Sequence, residues 1–124
     1  FIDGSLACAN ADNAVDNTLQ FIQKTRDEDL PLLFIRDHHP ANHSSFREFG
    51  GTWPVHCVAG TRGGEIDEKL QPYVDEDLTF DKGCDPAVEQ YSGFDGVNAA
   101  GQSLGEVISM LEPENVFVCG IATE

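Results

Sequence analysis

The chain is short of positive charge. Seven lysines and arginines face 22 aspartates and glutamates across 124 residues, a formal net charge of -15. Nucleic acids and anionic membrane surfaces are held through basic patches, so this balance argues against both as partners. The acid is spread along the chain rather than gathered in a tail, which reads as a solvated surface. With so few lysines it is also a composition suited to high salt. Long apolar runs are missing too: nothing approaches the roughly 20 residues that span a bilayer. No CxxC pair occurs. Cys8, Cys57, Cys84 and Cys119 each lie in a different local context, which favours free thiols in a reducing, cytoplasmic setting over a disulfide framework. The chain opens on Phe1-Ile2-Asp3-Gly4 without Met or a signal-peptide pattern, and stops at Ala122-Thr123-Glu124 just past an apolar run. A trimmed chain is therefore expected, with residues 1–124 forming one domain.

An apolar fraction of 40% is enough for a core. Asn10 or Asp12 is placed to cap a helix reaching to about Thr25, with Val15, Leu19 and Ile22 on one stripe. Leu32 to Ile35 is a short continuous apolar run, the pattern of a strand buried on both faces, with Pro31 tolerable only at its start. From Asp37 to Gly64 the periodicity fails in a long stretch rich in His, Gly, Pro and Ser, and long loops in compact domains tend to carry function. Glu65 to Leu70 suggests a short helix and Leu78 to Phe80 a second strand. Ser103 and Glu106 form a capping box for a helix with Leu104, Val107, Ile108 and Leu111 on its apolar face. Pro113 stops it, and Val116 to Cys119 reads as a third strand. Alternating strands and amphipathic helices imply an α/β fold, a mainly parallel sheet between helix layers, with sites beyond the carboxyl ends of the strands.

The informative residues sit at those ends. Asp37 and His39 are two apart after a strand, so an extended backbone turns both to one side and His38 to the other. His56, stiffened by Pro54, can complete a site of two imidazoles and a carboxylate, which leaves positions open as catalytic metal sites do. Taken singly, each His reads as an ordinary loop residue; three in this one loop with Asp37 favour a divalent metal. His43 is either a further ligand or, in the preferred reading, a residue that orients the loop or lines the cleft. Lys82 ends the second strand. It is either a solvated lysine or a cation that supports a thiolate or a developing anion, and spacing does not choose. Trp53, Phe1 and Tyr91 are either core and turn residues or walls of a slot for a flat substrate.

Four segments then resemble one family. Asp37-His38-His39-Pro40-Ala41-Asn42-His43-Ser44-Ser45-Phe46 is similar to the metal loop of nicotinamidase/pyrazinamidase enzymes, members of the isochorismatase-like cysteine hydrolases. Gly51-Thr52-Trp53-Pro54-Val55-His56-Cys57-Val58 with Gly60-Thr61 resembles their second metal segment. Lys82-Gly83 followed by Tyr91-Ser92-Gly93-Phe94 resembles their lysine segment, and Cys119-Gly120-Ile121-Ala122-Thr123 the approach to their nucleophile. The resemblance implies a three-layer α/β/α fold. It implies hydrolysis of nicotinamide to nicotinate and ammonia through a cysteine thioester, as in NAD salvage. It assigns Asp37, His39 and His56 as metal ligands, with Zn2+ first and Fe2+ or Mn2+ as alternatives. Lys82 becomes the catalytic lysine, Ala122 an oxyanion N–H donor, and Phe1, Trp53 and Tyr91 the ring pocket. The small-molecule substrate is the expected partner, and a homo-oligomer is left open. The family's catalytic Asp would fall just before Phe1 and its Cys just beyond Glu124, so the first strand and C-terminal part are expected to be missing and the 124 residues alone inactive and poorly stable.

Three other readings compete. Another cysteine amidase of the same superfamily, acting on a different amide, stands closest. A non-haem iron oxygenase also uses two His and a carboxylate, but in the order His-x-Asp then His on a jelly roll. A structural zinc domain would close its site with Cys and His ligands, and the carboxylate argues against it.

Overall fold

A computed structural model describes residues 2–121. Its regular elements are helix α1 (Ala11–Asp27), strand β1 (Phe34–Asp37), strand β2 (Thr79–Lys82) and helix α2 (Leu104–Leu111), with five short 3-10 turns between them. β1 and β2 pair in parallel, from Phe34 opposite Thr79 to Asp37 opposite Lys82. Because side chains alternate along a strand, the ribbon has two faces. Phe34 joins Val15, Leu19 and Ile22 of α1 in one apolar cluster with Leu70 and Tyr73. Leu33 and Phe80 join Leu104, Val107 and Ile108 of α2 in the other. The result is helix, sheet, helix, the α/β layering that the alternation predicts.

α2 forms as expected. Ser103 Oγ accepts from Glu106 N–H while the Glu106 carboxylate accepts from Ser103 N–H, and Glu112 ends the helix in the left-handed region. The other boundaries differ from the sequence reading. α1 runs on to Asp27, and Asn10 enters it at φ 62° without a side-chain cap. β1 starts two residues late, because pairing with Thr79 rather than apolar character sets its register. It is not sealed on both faces either: Ile35 is 43% exposed. The helix expected over Glu65 to Leu70 is absent. Asp67 Oδ1 accepts from Lys69 N–H there, a local bond that competes with helix formation. Leu78 closes a 3-10 turn in which Asp75 accepts from Asp77 N–H, so β2 begins at Thr79. Val116 to Cys119 is not a hydrogen-bonded strand. A strand needs a neighbour for its ladder, none of the described residues supplies one, and Phe117 is 72% exposed. No helix among the described residues is long and apolar enough to cross a membrane.

Candidate metal centre at the strand ends

The last register pair of the sheet, Asp37 and Lys82, places a carboxylate and an ammonium side by side at the carboxyl edge. Lys82 Nζ donates to Asp37 Oδ1 at 2.5 Å and to the Gln90 carbonyl at 3.1 Å. His38 N–H still donates to Lys82 O, extending the ladder by one step. The chain then changes partner. His39 N–H donates to Cys57 O, and Ala59 N–H donates to His39 O, a parallel bridge between His39 and Val58. That bridge carries His56 to the site. Cys57, at φ 46°, makes the bend that follows it.

Asp37, His39 and His56 each present one ligand atom, and these atoms all lie within 4.8 Å of one another. The hydrogen bonds fix which atoms are free. His39 Nδ1 lies 2.9 Å from Gly83 O and His56 Nδ1 2.7 Å from Pro54 O. A carbonyl only accepts, so both rings carry their proton on Nδ1 and leave the Nε2 lone pair open. His39 Nε2 lies 4.0 Å from Asp37 Oδ2, beyond hydrogen-bonding distance but facing it. Backbone carbonyls on the outer nitrogens are the usual support for metal-binding histidines. Burial lowers the pKa of His39, against the opposing pulls of Gly83 O and Asp37, with His43 and His56 adding to the drop. The ring therefore keeps its lone pair to lower pH than an exposed histidine.

His43 is fully buried but differently employed. Its Nε2 donates to Val88 O, and its Nδ1 accepts from Ser45 N–H with Ser45 Oγ 2.7 Å away. No lone pair is left for a ligand bond. Its ring lies 4.3 Å from that of His39, tilted by 34°, so it braces a ligand candidate. Phe46 does the same from the apolar side. It is fully buried, edge-on to His39 at 5.6 Å and to His56 at 5.3 Å. Gly51 allows the loop to close, since a Cβ there would lie 1.9 Å from Ser45 O. Sequence reasoning gave Phe46 no role; a lone Phe in an irregular loop carries no periodic signal.

Trp53 and Tyr91 flank the cluster. Trp53 Nε1 donates to Tyr91 Oη at 3.5 Å, and its ring sits 6.4 Å from that of His56. Both aromatics are exposed enough to form a wall. Phe1 and Ala122 lie outside the described residues. His38 turns away, with Nδ1 2.9 Å from Asp81 Oδ2. The four cysteines are free. Burial, then Asp37, raises the pKa of Cys57; burial, then Asp81, raises that of Cys84. Neither has the stabilised thiolate of a nucleophile. Two surface concavities, of about 580 and 500 Å³, lie elsewhere, along α2 and beneath the carboxyl end of α1. They hold no comparable convergence of ligand atoms, so donor chemistry rather than volume marks the site.

This fold and cluster define a class. The isochorismatase domain family matches residues 1–124, and the chain belongs to it. Among individual proteins, it is 28% identical to the nicotinamidase of Escherichia coli K12, an alignment covering 98% of this chain and 64% of that one. It is 35% identical to the nicotinamidase/pyrazinamidase of Mycobacterium tuberculosis over 75% of this chain and 50% of that one. The pyrazinamidase of Pyrococcus horikoshii in complex with zinc superposes with a TM-score of 0.81 at 32% identity, over 98% of this chain and 63% of that one. PnC1 from L. infantum in complex with nicotinate gives 0.73 at 27%, over 95% and 58%. The chain thus spans between half and two thirds of the length of these relatives.

Proposed function

We propose that residues 1–124 are the central part of a nicotinamidase-type amidohydrolase, converting nicotinamide to nicotinate and ammonia. The observation that carries the proposal is the convergence of Asp37, His39 and His56, with both Nε2 lone pairs open and Lys82 on the same carboxylate. Two neutral imidazoles and a carboxylate suit zinc, and Fe2+ or Mn2+ fit the same donors. When bound, the divalent cation supplies a Lewis-acid contact for a pyridine nitrogen.

The chain's own residues do the rest of what this segment contributes. Asp37 divides its two oxygens, Oδ1 to the Lys82 ammonium and Oδ2 toward the histidines. Lys82 is thereby held at the carboxyl edge of the sheet, where a cation favours a thiolate and the negative charge that develops on an attacked amide. Trp53 and Tyr91 offer apolar faces to a flat ring. Ala122 and Phe1 take the oxyanion and ring-pocket roles that the family resemblance assigns. In that chemistry a cysteine thiolate attacks the amide carbon and the C–N bond breaks. Ammonia leaves with a proton delivered by an aspartic acid, and water then hydrolyses the thioester to the carboxylate. The cysteine and aspartate of that chemistry are not among the site residues assigned here. Relatives named for nicotinamidase and pyrazinamidase activity, and neighbours solved with zinc and with nicotinate, support the reading.

The test is ammonia release from nicotinamide by the whole protein, before and after treatment with a chelator. The expected result is turnover that chelation abolishes and zinc restores. Turnover of a different amide in place of nicotinamide would move the protein to another amidase of the superfamily.

A further inference from the structure

Gln90, from the irregular segment before the turn at Gly93–Asp95, touches both halves of the centre. Its backbone carbonyl accepts from Lys82 Nζ at 3.1 Å, and its side-chain Oε1 accepts from Gly83 N–H at 2.6 Å. Its Nε2 donates to Asp95 O at 3.2 Å, which fixes the amide's orientation and anchors it to that turn.

Gly83 is where such a clamp matters. The residue sits at φ 68°, and a Cβ there would lie 2.3 Å from Cε1 of His39. Only glycine lets the backbone approach this ring, yet glycine is the residue with the freest backbone. Its carbonyl is nevertheless the group that accepts from His39 Nδ1–H and so directs Nε2 toward Asp37. Something outside Gly83 has to restrain it. The peptide plane between Lys82 and Gly83 is held at both ends: its carbonyl accepts from His38 N–H at 2.9 Å, and its N–H donates to Gln90. Removing the Gln90 side chain frees one end of the plane on which the Gly83 carbonyl is hinged, beside the lysine.

We propose that Gln90 is a positioning residue that locks the Lys82–Gly83 peptide, and through it sets the His39 tautomer and the metal affinity of the centre. The inference rests on the metal-centre reading above. Three proteins separate the alternatives: the whole protein, Gln90→Leu, which keeps the volume without the acceptor, and Gln90→Glu, which restores an acceptor at the same reach. Two readouts are needed. Zinc affinity is measured by competition with a chromophoric chelator, and the protonated nitrogen of His39 is read by nitrogen-15 NMR of histidine in the metal-free protein. Gln90→Leu leaves the Gly83 carbonyl in place and should weaken zinc binding by about 10-fold, the low end of the cost of losing a ligand's own outer-shell partner. Its His39 signal should move from a single Nδ1–H form to a mixture, with the melting temperature close to that of the parent. Gln90→Glu, which keeps the acceptor for Gly83 N–H and loses the donor to Asp95 O, should fall between the two in the tautomer readout. Unchanged zinc affinity and an unchanged tautomer in Gln90→Leu would overturn the proposal. Should the parent bind no zinc, the metal reading falls, and the tautomer of His39 alone then decides the role of Gln90.

Discussion

The two faces of the sheet at its carboxyl edge carry nearly the same residue types and do opposite things with them. On one face Asp37 meets Lys82, His39 and His56; on the other Asp81 meets Arg36 and His38. Arg36 grips Asp81 with two nitrogens at 2.6 and 3.3 Å, and His38 Nδ1 closes on the same carboxylate at 2.9 Å. Glu65 and Glu76 stand 3.8 Å from the guanidinium. Both oxygens of Asp81 are thus committed, and no position is left for an ion. On the Asp37 face, carbonyls draw the histidine protons outward, so lone pairs and a carboxylate oxygen face one another across 4.0 Å. The difference lies in where the Nδ1 protons go, not in composition. One face is a closed ion-pair network; the other keeps a carboxylate oxygen and two imidazole nitrogens close together without bonding them to one another.

That contrast can be broken directly. His39→Ala should lower zinc affinity by more than the roughly 100-fold ceiling typical of outer-shell losses, and nicotinamide turnover should fall with it. His38→Ala, one residue away on the closed face, should leave both near the parent values; a competition titration and an ammonia assay measure the pair. Lys82→Met should cost about 10²- to 10³-fold in kcat, the scale of losing one charge-stabilising donor, while zinc stays bound. Zinc lost in step with turnover would mean that Lys82 serves only to hold Asp37. Asp81→Ala acts on the closed face through stability. It leaves Arg36, whose side chain is 15% exposed, with only the 3.8 Å contacts to Glu65 and Glu76, and should lower unfolding free energy by about 1–3 kcal/mol in denaturant titration, without altering zinc affinity.

What the sequence could show followed the range of the interactions involved. The cap and apolar stripe of α2 are local, and Ser103, Glu106 and Leu104 declared them. Side-chain alternation after a strand is local too, which is why Asp37 and His39 were expected on one side and His38 on the other. Strand limits depend on a partner 45 residues away, so β1 and β2 both start later than their apolar runs. Val116 to Cys119 has strand composition but no ladder within the described residues. The approach of His56 depends on the bridge between His39 and Val58, which no periodicity announces. The double engagement of His43 by Ser45 and Val88, the wedge of Phe46 and the clamp of Gln90 on Gly83 are likewise products of packing. The family resemblance supplied roles for Lys82, Trp53 and Tyr91 that spacing alone left open.

On the function proposed above, three side chains from two segments share one ion while the neighbouring imidazole stays out. A crystal structure of the zinc-loaded whole protein, with the metal located by anomalous scattering, tests it most directly. One zinc should be bonded to an Asp37 oxygen and to Nε2 of His39 and His56, with His43 still bonded to Val88 O. Zinc seated elsewhere, or bound through His43 in place of either histidine, would contradict it.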